Sequence, residues 1–289
     1  MIEKYYNGVI EQVAGGIGNV EHNSILVRYS NDFSIWDLES VNHYKDQTDI
    51  FFTCHEFSYN KIAEAYEPYL GLIRQMFHKY CSGTLEEFME ECDVYKLQRP
   101  VFESYFEKGF CERTEQILID EVEYEQERMH SSIVTMLQKL SEICPIVIVL
   151  NRFQLASKST MQLTNRLLQT KNKNIGIVLG VNDVQSIPEF AHEEWDAICE
   201  SMDDRNMVYH IGNAGRNMEP DVMDYYSDYE SDDGYRKLNN LVYFLDFDQA
   251  DHHLSKIERR IKFDNFTISE KKHYQLLLLQ IMVSVLQRD

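Results

Sequence analysis

The chain has 289 residues, 28 Lys plus Arg against 48 Asp plus Glu, and a formal net charge of −20. Hydrophobic residues at 44% and charged residues at 26% exclude a disordered chain, a collagen and a polytopic membrane protein. An acidic excess of this size repels phosphate backbones and anionic lipid, so neither nucleic acid nor a membrane is expected as a direct partner.

The six cysteines, at 54, 81, 92, 111, 144 and 199, form no C-x-x-C pair, which argues against a zinc ribbon or a thioredoxin-type site. Scattered cysteines, and an N-terminus without an apolar secretory core, point to the reducing cytoplasm.

Residues 2–13 read as a short amphipathic helix that Gly15 and Gly16 break. Ser24–Tyr29 is a short apolar run with β-branched members, a buried strand. A loop through Asn31 follows, and Ser34 can cap a helix from Ile35 to about Tyr44. Asp49–Cys54 reads as a second strand, completing a β-α-β unit. A helical stretch spans about 61–142, with Ile62, Tyr66, Tyr69, Leu70, Ile73 and Phe77 at helical spacing near its start. Pro145 then precedes Ile146–Leu150, five consecutive apolar residues of the kind found in parallel strands covered on both faces. A helix over 158–170, a strand over 174–180, a helix over 190–203 and a strand over 207–211 follow.

This order predicts an α/β fold: a doubly wound parallel sheet, 1–212, with a helical insertion at 61–142. Residues 213–235 are crowded with acids and read as a linker. Residues 237–262 and 268–287 read as helical, making 236–289 a separate α-helical segment. The last helix is apolar nearly all round, is interrupted by Gln280 and Ser284, and is too short to span a bilayer. It is therefore expected to be buried, by a further helical unit of a longer protein, by a homodimer partner or by the α/β domain.

Three stretches resemble the P-loop ATPase module of signal-transduction ATPases with numerous domains. They are the strand-loop-helix-strand of 24–54, the segment Ala65-Tyr66-Glu67-Pro68-Tyr69-Leu70, and Pro145–Leu168. In the last, Ile146–Leu150 takes the place of the Walker B strand, Asn151-Arg152-Phe153-Gln154-Leu155-Ala156 stands where the family has D-D-x-Q/H-x-A, and 174–181 falls at the sensor strand. Asp246-Phe247-Asp248-Gln249-Ala250 is similar to the inter-helix turn of a tetratricopeptide repeat. The resemblance implies a P-loop-NTPase-like sheet in a bacterial signalling regulator, followed by the start of a repeat array.

The catalytic parts of that family are missing. A P-loop needs glycines that bring backbone N–H groups onto phosphates, a Lys for their charge and a hydroxyl for magnesium. Tyr29-Ser30-Asn31-Asp32-Phe33-Ser34 has no Gly and no Lys, and Asp32 adds negative charge. Ala14-Gly15-Gly16-Ile17-Gly18-Asn19 echoes the motif but has Asn19 in the Lys position. At the strand end Asn151 and Arg152 replace the acids that would hold magnesium and polarise water. No catalytic residue and no metal ligand is assigned.

His55-Glu56 is the most site-like pair, because ligands bind beyond the carboxyl ends of parallel strands. His252-His253 lacks further ligands at metal spacing and reads as a solvated face. The leading expectation is a pseudo-ATPase that binds no cofactor and acts on a protein partner or on downstream domains of its own chain. The alternative is a divergent ATPase or small-ligand sensor that takes ATP with Mg, or another ligand, in a cleft around Asn31, Ser34, His55 and Asn151.

Overall fold

Five consecutive β-forming apolar residues after Pro145 leave no polar side for water, so they need cover on both faces. The computed structural model describes residues 2–18, 23–29, 49–58, 61–110, 122–170, 172–182, 187–203, 208–211, 232–263 and 269–286. In it Ile146–Asn151 is a strand, β3, buried along its whole length. Its neighbours are β1 (Ser24–Tyr29), β2 (Phe51–Glu56), β4 (Ile175–Asn182) and β5 (Val208–Ile211). The sheet order is β2-β3-β4-β1-β5, and every pairing is parallel. This is the expected α/β class with a parallel sheet, and β3 lies inside it beside β4. The second strand begins two residues later than expected, because its register starts at Phe51 opposite Ile146, the first residue after Pro145.

Helix α1 (Ile2–Gly16) packs on β4 and β1 and runs on through Gly15 and Gly16 instead of breaking before them. Its close approach is possible because β4 carries Gly176: a Cβ there would lie 2.6 Å from Val13 Cγ1 and 3.1 Å from the Asn23 carbonyl oxygen. The expected loop and helix between β1 and β2, with Asn31 and Ser34, lie outside the described residues.

The helical insertion resolves into α2 (Tyr69–Tyr80), α3 (Leu85–Glu91), α4 (Arg99–Lys108) and α5 (Val122–Ile143). Two of these helices carry clear local end signals. Thr84 and Glu87 form a reciprocal capping box at the start of α3. Pro stands in the first turn of α4, which ends at Gly109 in the left-handed region, φ 81°. Helix α2 packs on α5, and α5 on α6 (Lys158–Gln169). Helix α7 (His192–Asp203) packs on α6 and leads to β5.

Three helices follow: α8 (Asp232–Tyr243), α9 (Phe247–Phe263) and α10 (Glu270–Leu286). The linker expected at 213–235 is corrected at its end, where 232–235 form the first turn of α8. Acids are favoured in a first helical turn, and Asp233 also accepts from Arg236 Nη2 at 2.7 Å. Residues 212–231 lie outside the description. The stretch 237–262, read as helical with an inter-helix turn at Asp246–Ala250, holds two helices parted just before Phe247 by a turn in which Leu245 takes φ 69°. Within the single chain α10 is covered on one side: Leu279 and Val283 are buried against α8 and α9, while Leu277, Leu278 and Ile281 reach solvent. Two neighbouring helices cover only one side of a helix that is apolar on several.

Gly176→Ala is expected to cost about 1–3 kcal/mol, because neither the β-branched Val13 nor the Asn23 backbone gives way without shifting an element. Gly15→Ala, with nothing within 4 Å of the new methyl, is expected to gain about 0.5–1 kcal/mol in helix α1. Urea denaturation of the two variants measures the difference in sign.

Candidate functional site

A parallel sheet offers a ligand site where the connections from two adjacent strands leave in opposite directions. From β1 the chain crosses to the far edge at β2, whereas from β4 it crosses the other way to β5. The crevice therefore opens between β1 and β4, at Tyr29 and Asn182. Strand alternation and register put Tyr29, Asn182, Asn151 and Glu56 on one face there, the face on which Val13 of α1 meets Gly176.

The Tyr29 side chain reaches from β1 over β4 to β3. Its hydroxyl donates to Asn151 Oδ1 at 3.0 Å. The same oxygen accepts from the Arg152 backbone N–H at 2.9 Å. Two donors on one atom fix which end of the amide is oxygen. Asn151 Nδ2 then has no acceptor among the described residues, although the residue is fully buried. Arg152 takes a left-handed conformation, φ 51°, and its Nε lies 3.4 Å from Glu56 Oε1. The two positions where the resemblance calls for acids thus hold an amide bound to a phenol and a cation paired with the neighbouring strand.

His55 pairs in register with Leu150, so it faces the opposite side of the sheet from Asn151. Its Nε2 lies 3.6 Å from Glu67 Oε1, and its ring meets Phe57 edge-on at 4.5 Å between centroids. Burial lowers the His55 pKa to about 4 and raises that of Glu67. The imidazole is neutral at pH 7, and this close pair is not an ion pair there. The described members of the expected cleft, His55 and Asn151, are therefore not brought together.

On the His55 side the structure holds a feature that sequence reasoning missed. Helix α6 begins after β3, so its N-terminus sits at the carboxyl end of the sheet. Ser157 caps it by accepting from the Thr160 N–H at 3.2 Å. Asp246, in the turn between α8 and α9, adds a second cap from a distant part of the chain. It accepts from Ser159 Oγ at 2.6 Å and from the Ser159 N–H at 3.1 Å, and it is fully buried. Gln249 accepts from the Lys158 N–H at 3.2 Å and donates to the Ala63 carbonyl at 3.4 Å. Thr160 Oγ1 donates to the Glu67 carbonyl at 3.0 Å, and Arg236 binds both carboxylate oxygens of Glu64 at 2.9 and 3.3 Å. The positive end of a helix is a natural anion site, and here the chain's own carboxylate fills it. One sequence signal was available: an acid just ahead of an apolar helix start at Phe247. Nothing local names Ser159 as its partner.

Burial pushes the Asp246 pKa up to about 7, against the pull of the Ser159 hydrogen bonds and the nearby Lys158; Glu194 pushes the same way as burial. His253, expected on a solvated face, is buried instead, with its pKa lowered to about 3 by burial, and His252 meets Phe190 at 5.3 Å. Among the described residues no group of three or more His, Cys, Asp or Glu is placed to hold a metal ion. Comparison of the chain with protein-family models, curated proteins and solved structures finds no match.

Truncating Asp246 leaves buried donors unpaired, so Asp246→Ala is expected to cost roughly 1–3 kcal/mol in urea denaturation. The pH dependence follows from proton counts. Between an unfolded aspartate at 3.8 and the native value of about 7, the native state binds the extra proton, so Asp246 alone makes stability fall as pH rises. His55, His130 and His253 act the other way. Unfolded they bind a proton near 6.5, but natively only near 4, 4 and 3, so stability rises with pH across that window. His252, lowered to about 4, acts with these histidines, and Glu67, raised by burial, acts with Asp246. Stability is expected to rise from pH 4 to pH 6.5, because four histidines outweigh two acids, and Asp246→Asn, which removes one opposing group, should steepen that rise.

Proposed function

We propose that this chain is a non-catalytic, pseudo-ATPase-type domain that serves as a regulatory or protein-interaction module of a cytoplasmic bacterial signalling protein. The observation that carries the reading is the set at the strand ends, Tyr29–Asn151 and Arg152–Glu56. A nucleotide-hydrolysing site needs open space and acids at this place for magnesium and water. Here a phenol bridges the crevice to an amide that is a poor base, and a guanidinium stands where a magnesium ion would be repelled.

The sheet order supports the resemblance, since β4, at the sensor-strand position, lies between β1, which leads to the loop position, and β3, at the Walker B position. The Asp246 junction supports the regulatory part. It ties the C-terminal helices to the same end of the sheet that would hold a ligand, so a partner acting on those helices acts on the strand ends as well. The helical pair α8 and α9 fits a tetratricopeptide-like role in binding protein, and the acidic balance disfavours nucleic acid.

A second reading, a small-ligand or nucleotide sensor, is favoured by the buried Asn151 Nδ2, a donor that a ligand acceptor or a water could satisfy. The two readings share a fold and separate on turnover and binding.

No release of phosphate from ATP or GTP above the protein-free rate is expected, with or without magnesium. Turnover that Asn151→Ala abolishes would overturn the non-catalytic reading. Stabilisation by a small ligand without turnover, lost in the same variant, would favour the sensor.

A further inference from the structure

Helix α10 presents a run of large apolar side chains to solvent, with the exposed Ser284 among them. Tyr274, Leu277, Leu278, Ile281, Met282 and Val285 are 64, 43, 43, 59, 42 and 52% exposed. Leu279 and Val283, on the opposite side, pack inward against α8 and α9, and Gln280 Nε2 donates to Glu258 of α9 at 3.2 Å. The inner side of the helix is thus already engaged, and the outer side is free.

Two properties of the outer face specify its occupant. The first is spacing. Tyr274, Leu278, Ile281 and Val285 recur at intervals of four, three and four residues, the seam of a helix that packs along another helix. Leu277 and Met282 flank the seam and widen it to the stripe used in a helical bundle. The second is symmetry. The six exposed apolar positions pair off about the midpoint between Leu279 and Gln280: Tyr274 with Val285, Leu277 with Met282, and Leu278 with Ile281, while the exposed Ser284 falls opposite Gln275. A face of this kind is complementary to itself when turned end for end. Tyr274, the largest side chain, would meet Val285, the smallest, and Leu278 would meet Ile281, which keeps the side-chain volume nearly even along the contact.

Charge selects the same occupant. The chain carries a net charge of −20, yet residues 274–285 include no Asp, Glu, Lys or Arg. Two copies can meet here without opposing like charges, and a charged partner would find nothing to pair with. The six side chains expose on the order of 600 Å² of surface, so a symmetric pair would remove about 1,200 Å² from water, the lower bound of a stable specific interface.

We propose that α10 is the dimerisation element of this protein, pairing antiparallel with α10 of a second copy about a two-fold axis near Leu279–Gln280. Helices α9 and α10 of the two copies then form a four-helix layer, and the two α/β domains lie outside it. The interface is isologous, and a dissociation constant in the micromolar range is the expectation for a contact of this size.

Sedimentation velocity on the intact chain tests this. The wild-type protein is expected to shift from monomer to dimer as its concentration rises through the micromolar range. The double exchange Leu278→Glu with Ile281→Glu is expected to hold it monomeric with an unchanged far-UV spectrum, since both side chains already reach solvent in the monomer. Leu278→Gln with Ile281→Gln repeats the test without added charge. Mixing Tyr274→Cys protein with Val285→Cys protein is expected to give more disulfide-linked dimer than either alone. A wild-type chain that stays monomeric, whether its face remains bare or takes a different protein, overturns the proposal. So does a dimer that survives both double exchanges, or a Tyr274→Cys protein that links to itself better than to the Val285→Cys protein.

Discussion

The burial of β3 and β4 on both faces is the constraint from which the rest of the molecule follows. Every residue of Ile146–Asn151 and of Ile175–Asn182 is buried. Strands of this kind have no solvent side, so helices must return over both faces, and right-handed crossovers then set which helix lies where. Parallel strands also bring all their carboxyl ends to one edge. Tyr29, Glu56, Asn151 and Asn182 are gathered there by the sheet, not by any local motif. Helix α6 starts at that edge for the same reason, which is why its N-terminus is available to Asp246.

At this edge the polar groups are largely satisfied by the protein itself. Asn151 Oδ1 takes two donors, Arg152 is paired with Glu56, and the N-terminus of α6 takes Ser157 and Asp246. Buried polar groups are costly when unpaired, so a self-satisfied edge is stable without a ligand. Asn151 Nδ2 and Arg152 Nε are the buried strand-end donors without a hydrogen bond among the described residues, the latter 3.4 Å from Glu56 Oε1. The same economy links the two ends of the chain. Asp246 joins the α8–α9 turn to Ser159 through bonds that favour its ionised form, while burial opposes ionisation, so the net stability it lends falls as pH rises toward 7.

Much of the sheet was legible in the sequence because apolar runs of fixed length carry their own signal. Ile146–Leu150 and Ser24–Tyr29 could be read directly, and Pro145 marked where the register begins. The strand-end chemistry was half legible. The identities of Asn151 and Arg152 showed what was missing, but their partners Tyr29 and Glu56 are set by pairing across the sheet, which no local pattern encodes. Likewise His55 and Asn151 are both at strand ends, and only the register reveals that they face opposite sides. Asp246 and Ser159 are 87 residues apart, and an acid in a turn looks like any solvated acid until the fold buries it. The acids at 232–233 read as linker because composition does not distinguish a disordered run from a charged first helical turn. Helix α10 shows the converse: its composition demanded cover, and the described helices supply only one side of it.

Calorimetric titration of the intact protein with ATP, with magnesium and then with the metal chelated, tests the self-satisfied strand edge most directly. Heat of dilution alone is expected in both conditions, because on the proposed reading Tyr29–Asn151 and Arg152–Glu56 stand where a nucleotide site would need open space and acids. Saturable binding that requires magnesium and is lost on replacing Asn151 would contradict it.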